Sequence, residues 1–398
     1  MKKRPAFSPE FEFLLGCIRY FLDTGTAKQM QHQAKQVNDW QHFLTLVNAH
    51  KTVFVIHYCL KENSALFPTG IRKYITRNHL KNTGEMVKLS KELKEIATTF
   101  NKNSIDFISI KGPLLAKSLY GDYSNSRRSG DLDVLINEND IIKADRILQD
   151  NNYSLIINKT IIQSYLSEKY INFKLKTDQH IAYISETNRN FIELHWRLSH
   201  PIEINTFSTQ TDNLLGEKIK TLSPEDSALY LFRHGSKHYY HAMFWLMDIA
   251  VLLQDKKLNW NYIIDRAKKY DVYRGMISGA ILAEKLFAIE LPENLNQEIS
   301  SNKKESLSDV LIKILYLREL KLTKQLTKFQ AINYYFLLKY YFFHLYKKRT
   351  NKIRYLFTNF IDPRTWDYLK LPQKFFFLYY LLWPFLVIPS KMIKRKKG

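Results

Sequence analysis

Apolar positions recur at helical spacing over the first hundred residues of the chain and then give way to short alternating runs. Phe11, Leu14, Leu15 and Ile18 follow Ser8-Pro9-Glu10, an N-cap residue with proline at the first helical position, and predict a helix over 8–24. Trp40, Phe43, Leu46, Phe54 and Ile56 predict a second helix over 38–60, and Leu89, Leu93, Ile96 and Phe100 form the apolar stripe of a third over 70–101. The run from Ile105 to Ile110 then reads as a β-branched and aromatic strand. Lys111-Gly112-Pro113 breaks it, and Leu114 to Tyr120 forms a short helix. A polar loop over 121–130 leads into a strand over Asp131 to Ile136 and a helix over 139–151. Further strands are predicted over 153–158, 179–185 and 190–198. From Ser223-Pro224-Glu225-Asp226, a strong helix start, the pattern is helical to about residue 350. The order predicts an α+β chain, mostly α overall.

Charge changes this picture at one end. The 398 residues carry 60 Lys plus Arg against 38 Asp plus Glu, a net +22 that points to phosphate-bearing partners: nucleotides, nucleic acid or anionic lipid. Seventeen of the basic residues and only two acids fall in 320–398, so that segment holds +15 of the +22. It is also rich in aromatics, from Tyr334 to Tyr346, and carries an uncharged run over 375–389 followed by Lys391, Lys394, Arg395, Lys396 and Lys397. Fifteen residues at ~1.5 Å each fall short of a bilayer core, and Pro384 kinks any helix there. Two readings remain: an interfacial segment on an anionic membrane, or a C-terminal helix packed on the body with a solvated basic end. Cys17 and Cys59 are the only cysteines, which excludes a disulfide framework and a cysteine-based zinc site. Glu10, Glu12 and Arg19 interrupt any signal-peptide core, so the sequence predicts an intracellular protein.

The candidate chemistry centres on Asp131-Leu132-Asp133. Alternation along a strand points both carboxylates to one face and Leu132 and Val134 to the other. Two carboxylates so close repel unless a cation lies between them, and Mg²⁺ is suited to carboxylate and phosphate oxygens. Upstream, Lys111 and Gly112 stand between a strand and a helix start, where close backbone approach and a helix N-terminus favour phosphate. Arg127 and Arg128 in the intervening loop are candidates to clamp a phosphate oxygen. In Phe191 to Trp196, alternation places Glu193 and His195 on one face; His195 reads equally as a site residue or a packing residue.

The segments Ile110 to Ala116, Leu119 to Asp122 and Arg127 to Ile136 resemble the uncharacterised bacterial nucleotidyltransferase family of the DNA polymerase beta superfold. Ile192-Glu193-Leu194-His195-Trp196, and His234-Gly235-Ser236-Lys237-His238 with Trp245 and Asp248, are similar to it as well. The resemblance covers roughly 10–260 and implies a small mixed sheet of nucleotidyltransferase type flanked by helical domains. It sets the expected divisions: an N-terminal helical domain over 1–101, the nucleotidyltransferase-like domain over 102–215, a helical domain closing the cleft over 216–330, and the tail over 331–398. It further implies Asp131, Asp133 and Glu193 as ligands of two Mg²⁺, with Lys237 and His238 touching phosphate or acceptor. Lys111-Gly112-Pro113 departs from the superfamily's usual Gly-Ser or Gly-Gly, and Pro113 removes a backbone donor.

The function expected is Mg²⁺-dependent transfer of NMP from an NTP to a small-molecule, sugar, peptide or protein acceptor. The protein is expected in the cytoplasm, with the tail as a peripheral contact at the inner face of the membrane. Alternatives are nucleotidyl addition to RNA, and a degenerate fold acting as a membrane-surface or partner-binding module. Against the RNA reading, the excess charge lies in the tail rather than around the candidate cleft.

Overall fold

The computed structural model of the chain describes residues 6–157, 160–162, 168–198, 206–302, 305–358 and 378. Five helices open it: α1 (Pro9–Phe21), α2 (Ala27–Ala34), α3 (Trp40–Ala49), α4 (Val53–Asn63) and the long α5 (Thr69–Lys102). Ser8 caps α1 by accepting the Phe11 amide N–H. The single helix expected over 38–60 is two, because Lys51 adopts a left-handed backbone (φ 56°) that no α-helix continues through. That turn brings Lys51 to the functional site.

Strands and helices then alternate: β1 (Phe107–Ser109), α6 (Pro113–Tyr120), β2 (Asp131–Ile136), α7 (Ile141–Asp150), β3 (Tyr153–Ile157), β4 (Thr160–Ile162), α8 (Glu168–Thr177), β5 (His180–Ser185) and β6 (Phe191–His195). A hairpin of β7 (Thr209–Leu214) and β8 (Glu217–Leu222) follows, turned at Leu215 and Gly216, both at positive φ. The polar pattern of this hairpin hid it in the sequence, and it carries the α/β unit past the expected boundary at 215. The eight strands of the described residues form one mixed sheet in the order β4-β3-β5-β6-β2-β1-β8-β7.

The register of the central strands builds the site. β2 pairs antiparallel with β1 and parallel with β6, which sets Asp133 directly beside Glu193. β5 runs antiparallel to β6 and sets His180 opposite His195. Leu132, Val134, Ile136, Ile192, Leu194 and Trp196 bury themselves against Leu89, Leu93, Ile96 and Phe100 of α5 and Ile141, Ala144 and Leu148 of α7. Period-two alternation leaves Asp131, Asp133, Glu193 and His195 for the opposite face.

Helices follow: α9 (Pro224–Lys237) and α10 (Met243–Gln254), which stand over that face, then α11 (Trp260–Lys269), α12 (Tyr273–Phe287), α13 (Glu293–Asn302), α14 (Ser308–Leu322), α15 (Lys328–Leu345) and α16 (Arg349–Thr358). The helices α9 to α15 share one continuous core with α1, α3 and α4, reaching from Phe7 to Leu345. The helical divisions expected at 1–101 and 216–330 are therefore halves of a single hydrophobic unit, since α1 packs on α12 and α3 on α14. The tail beyond 358, with its basic end and all but one residue of 375–389, lies outside the described residues. Among the described residues no helix is long and apolar enough to cross a membrane.

Candidate functional site

Between the acidic face of the sheet and α9–α10 lies a cavity of about 340 Å³. Asp131, Asp133, Glu193, His195, Lys111, Arg127, Arg128, Lys237 and His238 all line it. Of the site residues expected from the sequence, Gly112 alone does not, and its part is to aim Lys111. Gly112 sits at φ 83° and caps α6, and a Cβ there would meet Leu132 Cδ2 at 3.3 Å. The Ile110 N–H donates to the Asp133 carbonyl, extending the pairing one residue past β1. Lys111 thus reaches across β2, and its Nζ lies 2.9 Å from Asp133 Oδ2.

The carboxylates differ sharply in surroundings. Asp133 is 1% exposed, with Lys111 on one oxygen and His195 Nε2 at 2.9 Å from the other. Burial works to raise its carboxyl, but Lys111 and His195 override that and hold it far below the ordinary range. Asp131 goes the other way: burial and the charges of Asp133 and Glu193 raise it, with only partial offset from Lys111 and Lys51. Glu193 lies 3.3 Å from His195 Nε2 and 3.7 Å from His180 Nε2. Its burial is outweighed by those imidazoles, and its carboxyl is lowered. Burial works to lower His195, yet its hydrogen bonds to Asp133 and Glu193 raise it overall.

The helical wall is chemically divided. Burial, with Lys111 and His238 nearby, holds His234 well below its ordinary value, and burial beside Lys237 brings His238 to about 4. Both are neutral imidazoles at neutral pH, so His238 carries no charge toward phosphate. It stacks on Trp245 with ring centres 4.9 Å apart. The cations on the cavity wall are Arg233, Lys237, Lys111, Lys51, Arg127 and Arg128. The helix that carries His234 stops at Lys237, because Tyr239 and Tyr240 take left-handed backbones (φ 44° and 46°). The buried Tyr240 ring fills the space beside Gly235, where a Cβ would lie 2.2 Å from Cε1. That contact explains the glycine within the His-Gly-Ser-Lys-His sequence.

The two arginines have protein partners. Arg127 is buried, its Nε donates to Asp248 Oδ2 at 2.8 Å, and Tyr120 OH donates to the other oxygen at 2.9 Å. Arg128 pairs with Glu85 at 2.7 Å on the exposed rim. The clamp expected of them is therefore already partly engaged within the fold. Lys51, Gln179, His180, Tyr230 and Phe244 also line the cavity and were missed in the sequence. Only His180 had a local signal, as an alternation partner of a strand that pairs with β6.

The donor set suits Mg²⁺ at Asp131 and Glu193, whose oxygens face the cavity and whose mutual repulsion helps raise Asp131. Asp133 joins such a set only when Lys111 or His195 gives way, since each holds one of its oxygens. His180, Glu193 and His195 offer a second grouping, with ligand atoms within 4.8 Å of one another. Two nitrogens and one oxygen suit borderline cations such as Zn²⁺ or Fe²⁺ better than Mg²⁺.

The sheet lifts acidic side chains from its central parallel pair into a cation-lined cleft, and the chain is of the nucleotidyltransferase class, as its family match shows. It belongs to the family described as uncharacterised nucleotidyltransferase, whose model matches residues 36–288. Among solved structures, the chain is similar to an antigenic nucleotidyltransferase-like protein from Paracoccidioides brasiliensis. Identity there is 15%, over 55% of this chain and 93% of that one, with a TM-score of 0.32. It is also similar to the antibiotic-resistance factor ANT(2'')-Ia in solution, at 10% identity over 55% of this chain and 97% of that one, TM-score 0.28. The crystal structure of ANT(2'')-Ia in complex with adenylyl-2''-tobramycin gives 12% identity, 54% and 99% coverage, and a TM-score of 0.28. No curated protein matches the chain.

Proposed function

We propose that this protein transfers the NMP of an NTP, in a Mg²⁺-dependent reaction, to a hydroxyl of a small-molecule, sugar, peptide or protein acceptor. The observation that carries this reading is the parallel register of β2 and β6, which sets Asp133 beside Glu193 and puts Asp131 on the same face of the cavity. Lys51, Lys111, Arg233 and Lys237 supply the positive wall a triphosphate needs. The neutral His238 and its stacked partner Trp245 offer an uncharged, aromatic surface suited to the acceptor or the base.

In this mechanism the acceptor oxygen attacks the α-phosphorus in line. The bond from that phosphorus to the bridging oxygen breaks, and pyrophosphate leaves with the electron pair. Glu193, kept ionised by His180 and His195, takes the hydroxyl proton. Mg²⁺ held by Asp131 and Glu193, and by Asp133 once Lys111 or His195 shifts, would neutralise the triphosphate and acidify the acceptor hydroxyl. Lys111 keeps Asp133 ionised and orients it beneath the phosphates.

One observation favours a second reading. Lys111 already occupies an oxygen of Asp133, as it would in a fold that holds nucleotide without transferring it. Incubation with each α-labelled NTP and Mg²⁺, followed for pyrophosphate release and self-labelling, separates the two. Release that Asp131→Asn and Glu193→Gln abolish supports transfer, whereas NTP binding with no release under any NTP supports the second reading.

A further inference from the structure

The helix α15 is apolar on the side that faces away from the body. Tyr334, Tyr341 and Leu345 are its buried residues, and Tyr341 OH ties it to α9 by donating to the Ser236 carbonyl at 2.9 Å. Phe329, Ile332, Phe336, Tyr340 and Phe343 follow one another at steps of three and four residues, so they form a single outward stripe, with Tyr335 at its edge. Phe329 is 79% exposed and Phe336 64%. Six of the thirteen exposed large hydrophobic residues of the described chain are on this helix, which marks it as a surface built for contact rather than a scatter of single side chains.

The sequence that forms and flanks the stripe carries charge of one sign. Nine Lys or Arg and no acid lie between Lys321 and Arg354. Two of the lysines lie along the stripe itself, Lys339 Nζ 5.5 Å over the Tyr335 ring and Lys352 Nζ 4.9 Å over Phe343. A second copy of the chain would bring the same positive charge to the face. The charged parts of the segment after 358, on either side of its uncharged run over 375–389, would do so as well, with eight Lys or Arg against two Asp. What complements an aromatic stripe flanked by lysines is a layer that is apolar below and negative above.

We propose that the outer face of α15 docks on an anionic phospholipid membrane, with Phe329, Phe336 and Tyr340 at the boundary of headgroups and acyl chains and Lys339 and Lys352 among the headgroups. The helix lies in the plane of the interface. Because Tyr341 joins α15 to α9, docking fixes how the cavity stands relative to the membrane surface.

Co-sedimentation of the full chain with vesicles of phosphatidylcholine, with and without 30% phosphatidylglycerol, tests this. The expected result is binding that depends on phosphatidylglycerol, falls as NaCl is raised, and weakens by at least about tenfold in Phe329→Ser/Phe336→Ser/Tyr340→Ser. A second variant, Lys339→Glu/Lys352→Glu, leaves the apolar stripe intact and weakens binding to a similar extent. The substituted stripe residues are exposed, and unchanged melting curves verify that both variants fold. Absence of vesicle binding overturns the proposal, as does binding equal in wild type and both variants, which assigns it to 359–398 instead. Single-stranded RNA held by the wild type and lost in these variants, with no vesicle binding, overturns it in favour of nucleic acid.

Discussion

Asp133 and Glu193 stand side by side on adjacent parallel strands, and both carboxylates reach the same atom, Nε2 of His195, at 2.9 and 3.3 Å. One imidazole thus spans two of the three acids, while Lys111 closes the far side of Asp133 and Asp131 is only partly offset by Lys111 and Lys51. The division makes the two aspartates, two residues apart, opposite in their effect on stability.

Asp133→Asn leaves Lys111 buried without its counter-charge, and removal of one partner of a buried pair destabilises by about 3 kcal/mol. Asp131→Asn removes a carboxyl whose ionisation the fold opposes, so its melting temperature equals or exceeds that of the wild type. Thermal melts of the two variants at pH 7 check this. Equal losses from both contradict the assignment of Asp133 as the compensated member.

Arg127 and Asp248 bind the loop before β2 to α10 through a buried pair, with Tyr120 as the third member. Arg127→Met and Asp248→Asn each lose about 3 kcal/mol, and the double variant loses clearly less than the sum. Urea unfolding of the four species measures the coupling. Full stability of Arg127→Met together with weakened NTP binding would instead assign the guanidinium to phosphate.

Acid sensitivity has an identifiable source in His50. Its ring is buried, Nδ1 accepts the Met243 N–H, and burial with Arg318 and His241 holds it at about 3. In the unfolded chain it titrates near 6.5, so unfolding takes up a proton below that value. Its stabilising contribution is complete above 6.5 and is lost as pH falls toward the folded value, roughly 2 kcal/mol by pH 5. Melting temperatures at pH 7 and 5 should fall further in the wild type than in His50→Asn, which keeps an acceptor for Met243. A gap between the two proteins that does not change with pH excludes His50.

The alternation that put Asp131, Asp133 and Leu132 on their respective faces was legible because strand periodicity is local, and the same rule placed Glu193 with His195. Register was not: that β2 and β6 are parallel neighbours follows from packing between segments some sixty residues apart. Lys51 and Tyr230 reach the cavity only through tertiary packing, Lys51 by a left-handed turn inside what reads as one continuous helix. The same class of signal ended α9 early, since Tyr239 and Tyr240 carry no sequence mark of a left-handed backbone. The stripe of α15 left two readings open in the sequence for another reason. Its aromatic spacing is that of a core helix, and only exposure tells that most of it faces outward.

The claim on which the rest stands is that the acidic face of β2 and β6 receives a metal-bound triphosphate, and it can be measured without knowing the acceptor. Isothermal titration of each NTP into the full chain, with Mg²⁺ and with EDTA, reads it directly. The account predicts at least one NTP whose affinity rises about tenfold or more with Mg²⁺, and loss of that gain in Asp131→Asn while its melting temperature holds. Affinity indifferent to Mg²⁺, or an Asp131→Asn protein that binds as the wild type does, would contradict it.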